Sequence, residues 1–191
     1  AEDIIGLIVA RQPVYYDNIT VIGDLDLSLL PNARVPVLFA LTNSNLENVS
    51  FAGVTFEQDA VFWGSTIGRA GLERSSFLGY ADFSDAIFSN ASFSACSFFR
   101  PAVFDGSIFK GNVNFEDSVF SEDASFKGVQ FQKEANFNYS NFKSYSYFDY
   151  AEFLGDALFS DVDFAKDSNF SAANFSQWAC FYQSHLHAPN F

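Results

Sequence analysis

Between Phe98 and Phe181 a phenylalanine recurs in alternating steps of six and five residues: Phe98, Phe104, Phe109, Phe115, Phe120, Phe126, Phe131, Phe137, Phe142, Phe148, Phe153, Phe159, Phe164, Phe170, Phe175 and Phe181. Neither the 3.6-residue period of a helix nor the two-residue period of a flat strand produces such steps. The pattern therefore describes a repeat architecture. It begins near Leu41 and runs through Leu46, Phe51, Phe56, Phe62, Ile67, Leu72, Phe77, Phe83, Phe88 and Phe93.

The six-residue steps count the sides of the coil. Those starting at Phe56, Phe77, Phe98, Phe120, Phe142 and Phe164 all lie four steps apart. A four-sided coil stacks them at one corner, whereas a three-sided coil scatters them. A second set, after Phe109, Phe131, Phe153 and Phe175, stacks at the opposite corner and lengthens the unit from 21 to 22 residues. The residue two before each ring is small: Ala81, Ala86, Ala91, Cys96, Ala102, Ser107, Val113, Ser118, Ala124, Val129, Ala135 and Ser140. Alternation places it on the same inward side of a short strand as the ring. Residues flanking the ring point outward and are mostly polar. The phenylalanine ladder is thus core, not a ligand box.

Residues 1–40 lack the repeat. Glu2-Asp3 followed by Ile4-Ile5-Gly6-Leu7-Ile8-Val9 predicts a short helix with an acidic first turn, ended before Pro13. Val21-Ile22, then Leu25 and Leu27 between Asp24 and Asp26, predict one or two strands. The expected organisation is an N-terminal cap over 1–40 and an all-β, four-sided parallel β-helix solenoid of about seven coils over 41–191. Repeat arrays need such covered ends.

Composition narrows the function classes. Twenty-six Phe with no Met means one side chain used repeatedly in one kind of slot. A net charge of −13 disfavours direct binding to nucleic-acid phosphates and suits a basic partner. No apolar run approaches the roughly 20 residues of a membrane span. Cys96 and Cys180 do not form a disulfide framework. Ala1 without a preceding Met fits a removed signal peptide, hence a secreted or cell-surface location; without one, the cytoplasm is expected.

Runs such as Ala135-Asn136-Phe137-Asn138-Tyr139, Ala173-Asn174-Phe175-Ser176-Gln177 and Ala81-Asp82-Phe83-Ser84-Asp85 resemble the A-(D/N)-(L/F)-x-x unit of pentapeptide-repeat proteins. The resemblance covers residues 41–191 and implies a right-handed quadrilateral β-helix. Val21-Ile22-Gly23-Asp24-Leu25-Asp26-Leu27-Ser28 resembles the lead-in of secreted or surface prokaryotic members. Family members with a known role include proteins that protect or inhibit type II topoisomerases by imitating DNA.

Candidate chemistry is sparse. Cys180, His185 and His187 are the weak candidates for zinc or copper, with the two histidines ~6.6 Å apart along one strand. No second ligand pair accompanies them, so no metal or cofactor is expected. Paired carboxylates such as Asp82 with Asp85 lie on a convex rod, where acid–base work lacks the cleft it needs; no enzyme activity is expected.

The candidate partner surface comprises Asp82, Asp105, Asp123 and Asp149 with Tyr145, Tyr147 and Tyr150. Asp59, Tyr80, Pro101 and Asp167 share its corner, where Lys127 dilutes the acidity. Outward aromatics beside polar residues are typical of interfaces. The expected function is a structural or protein-interaction module; the alternative is a DNA-mimicking regulator of a topoisomerase or another DNA-processing enzyme. Phe191 is a ladder residue without its two followers. Either the natural chain continues, or a partner covers this end, a homodimer through the open β-helix end included.

Overall fold

The computed structural model describes residues 1–191. A single helix, α1 (Glu2–Val9), precedes a solenoid of parallel strands. Face I carries eight strands, from Val14–Asp17 and Phe39–Thr42 through Ala60–Val61, Ala81–Asp82, Ala102–Val103, Ala124–Ser125 and Ser146–Tyr147 to Ser168–Asn169. Face IV carries eight more, from Arg34–Val35 to His185–Leu186.

Between them lies a twelve-stranded sheet that changes form along the rod. In the early turns it consists of long strands, Asn45–Ser50, Thr66–Gly71 and Ile87–Ser92, each running unbroken across two sides of the coil. Ile87–Ser92 then pairs with two separate strands, Ile108–Phe109 and Val113–Asn114. From there the sheet continues as face II, ending at Asn174–Phe175, and face III, ending at Ala179–Cys180. The division falls at the first six-residue step of the second set, Phe109 to Phe115. One extra residue turns a straight passage into a corner. At that corner Gly111 passes so close over the preceding turn that a Cβ there would lie 2.3 Å from the Ser89 carbonyl oxygen.

The corners after faces I and III follow turn chemistry. After each face I or face III ring, the second residue has positive φ, as at Gly64 (66°), Asp85 (54°), Gly106 (68°) and Asp117 (58°). The ring residue's carbonyl accepts from the backbone N–H three residues on, for example Ser107 N to Phe104 O at 3.0 Å. That is a type II turn, which favours Gly, Asn and Asp at its third position.

Face I and face IV each hold eight strands, so the rod has about eight turns. The additional turn comes from the N-terminal segment: Val14↔Phe39, Thr20↔Asn45 and Arg34↔Thr55 pair in parallel. Residues 14–40 are therefore joined to the solenoid by its own ladder, and α1 alone lies beyond it. Its Ile4 and Ile8 are each only 3% exposed.

The interior is one cluster of 51 buried residues. Rings of one face stack from turn to turn: Phe104 and Phe126 lie 4.8 Å apart and 1° from parallel, Phe115 and Phe137 4.8 Å and 6°. Rings of opposite faces meet edge to face, as Phe104 with Phe115 at 5.3 Å and 87°. Stacking follows from the strand spacing, and the edge contact matches the ring quadrupole. Of the Phe62 and Phe83–Phe181 ladder positions, all are fully buried except Phe175 and Phe181 on the last turn, which are half-buried.

Buried serines join the turns. Ser75, Ser118 and Ser140 donate Oγ–H to the carbonyls of Phe51, Phe93 and Phe115 at 2.6, 2.7 and 3.1 Å, and Cys96 Sγ–H donates to Leu72 O at 2.9 Å.

Candidate interaction surface

Face I displays three columns of outward side chains, because successive turns align in register. Val61, Asp82, Val103, Ser125, Tyr147 and Asn169 form the column one residue before each ring. The ring of each turn is flanked on the other side by Trp63, Ser84, Asp105, Lys127, Asp149 and Ser171. The extra corner residues Asp59, Tyr80, Pro101, Asp123, Tyr145 and Asp167 line the edge toward face IV.

Several carboxylates are held by donors from their own or the neighbouring turn. Asp82 Oδ1 accepts from Ser84 N and Oγ at 2.9 and 2.6 Å. Asp105 Oδ1 accepts from Ser125 Oγ and Lys127 N at 2.5 and 3.0 Å. Asp59 Oδ1 accepts from Tyr80 N at 2.9 Å, and Asp85 Oδ2 from Trp63 Nε1 at 3.2 Å. At the top of the face Asp17 accepts from Asn43 Nδ2 and Thr42 Oγ1, which hold its carboxyl below the usual range. Asp149 Oδ1 is enclosed without any donor.

The aromatic positions separate. Tyr145 and Tyr147 flank inward Ser146 and stack outside at 6.4 Å between ring centroids, 22° from parallel. Lys127 Nζ, from the turn before, lies 4.4 Å from the Tyr147 centroid. Lys166 Nζ, from the turn after, lies 5.0 Å from the Tyr145 centroid. Partial burial raises the Tyr147 phenol, followed by the charges of Asp123, Tyr145 and Asp149. Tyr80 is raised in the same way, by burial and then by Asp82, Asp105 and Asp59. Tyr150 stands apart on the next corner, with φ of 60° and its ring exposed. The two lysines were not assigned to the rings by sequence reasoning. Their offsets of 20 and 21 residues, about one turn, are the signal that places them there.

The metal candidates are not gathered. Cys180 Sγ lies on face III, 3.3 Å from Ser160 Oγ. His185 is on face IV opposite Asp163, and His187 Nδ1 is 3.4 Å from Asp167 Oδ1. No three His, Cys, Asp or Glu side chains are placed to hold one ion. No helix is long and apolar enough to cross a membrane.

A family profile described as pentapeptide repeats (9 copies) matches residues 72–119 and 104–151. No curated protein matches the chain. Among solved structures, that of a trypsin-treated form of QnrB1, a plasmid-mediated fluoroquinolone resistance protein, aligns at 14% identity. The alignment covers 90% of this chain and 91% of that one, with a TM-score of 0.24.

Proposed function

We propose that this chain, a pentapeptide-repeat protein, works as a non-enzymatic interaction module that docks a basic surface of a protein partner on face I. The observation that carries this reading is the joint display of Asp59, Asp82, Asp105, Asp123 and Asp149 with the stacked Tyr145–Tyr147 pair on one sheet face. Burying an aromatic pair supplies interface energy, and the carboxylates steer and orient a basic partner. The carboxylates are spread over successive turns of a convex surface, an arrangement suited to docking more than to acid–base work. A photo-crosslinking residue placed at Asp82, Asp105 or Asp123 should capture one partner in extracts of the source cell. The same residue at Asn114 or Asn136 on face III should not. Equal capture from both faces would refute the assignment.

A DNA-mimicking role is the second reading, favoured by the row of aspartates. Duplex DNA carries one charge per ~1.7 Å, whereas one aspartate per turn gives about one per 4.8 Å on this face, further reduced by Lys127 and Lys166. Failure of micromolar protein to change topoisomerase supercoiling would remove that reading.

A further inference from the structure

We infer that the Tyr145–Tyr147 pair is the receptor for an arginine side chain of the protein partner, with Lys127 and Lys166 as its own occupants in the unbound state. The inference rests on the docking role of face I and names the contact at its centre. Each ring already accepts a cation, at 4.4 and 5.0 Å from its centroid. Neither ammonium is paired with a carboxylate, although Asp123, Asp149 and Asp167 share the face: the ion pairs of the chain are Arg34–Glu57, Arg100–Glu122 and His187–Asp167.

A lysine on a solvent-exposed ring is held only weakly, because water competes for the ammonium. A guanidinium stacks on the same rings through its flat face and also brings five donors. The neighbouring Asp123 carboxylate, half-exposed on the same corner as Tyr145, provides acceptors for them. Tyr145 is 41% exposed, leaving ring surface for the incoming group. An arginine-bearing segment therefore exchanges two loosely seated ammonium groups for a stacked, hydrogen-bonded guanidinium.

Hexa-arginine is the probe, titrated by calorimetry and by NMR at fixed low salt. The εCH2 signals of Lys127 and Lys166 should sit upfield in the free protein under the ring current and move to ordinary positions as the peptide binds. Tyr145→Ala with Tyr147→Ala should weaken binding about tenfold, while Tyr145→Phe with Tyr147→Phe keeps it within about twofold. Lys127→Ala with Lys166→Ala should tighten it about tenfold. Lys110→Ala with Lys133→Ala removes the same charge from elsewhere and should change it about twofold. Binding that ignores the tyrosines, equal effects of the two lysine pairs, or lysine signals that stay upfield would each overturn the receptor while leaving face I as the docking surface. No binding by any variant overturns it too, and the crosslinking comparison then decides the broader reading separately.

Discussion

Cys96 fills a position that the neighbouring turns give to serine. Its thiol is fully buried, and burial pushes its pKa up to about 12 from 9.0. Because the folded state holds this proton more tightly, the associated stability is complete below pH 9 and is lost as pH rises toward 12. Cys96→Ser keeps the donor to Leu72 O, so its urea stability at pH 7 should stay within about 1 kcal/mol of the parent. Its decline between pH 9 and 11 should be shallower; identical slopes would place the alkaline loss elsewhere. The rings behave differently. Phe115→Ala empties a slot bounded by stacked rings above and below, and should cost about 3–5 kcal/mol in chemical denaturation. Phe181→Ala on the last turn, where the ring is half-buried, should cost clearly less. These inward positions were legible because two signals, the ring and the small residue two before it, agree on every side. The tyrosine–lysine contacts were legible only as columns, since a lysine arm of four methylenes reaches several places from one backbone position.

A side of the coil needs only two paired residues, so corners decide the shape of each turn. In the turn containing Ile87–Ser92 two sides form one strand, and one turn later the extra residue separates them. Deleting Asn112 restores the 21-residue length, and Ile108–Asn114 should then pair as one strand, with circular dichroism preserved and Tm lowered by only a few degrees. Deleting Val113 instead draws Asn112 into the inward slot, where an amide lacks partners, and should lower Tm several-fold more. Comparable melting of both variants would contradict the corner assignment. The insertion arithmetic exposed these corners because it recurs in register. The pairing of residues 14–40 stayed hidden for the opposite reason: their ring positions carry Tyr, Val and Leu at uneven spacing, and the register shifts between Val21 and Asp24.

At the scale of the rod, most hydrogen bonds run along the axis and each turn touches only its neighbours, so stability is nearly a sum over turns and interfaces. The first turn gains its outer cover from α1. Ile4→Asp with Ile8→Asp should strip that cover, lower Tm, and produce association visible by light scattering; a monodisperse variant of unchanged Tm would show α1 to be dispensable. The same serial construction sets how the molecule yields to force. Pulled from its ends in an optical trap, it should lengthen in steps of about 70 Å, one turn of chain straightened less one strand spacing. Steps from the 22-residue turns should exceed those from the 21-residue turns by about 3.5 Å, so the single inserted corner residue becomes a graduation mark on the extension trace.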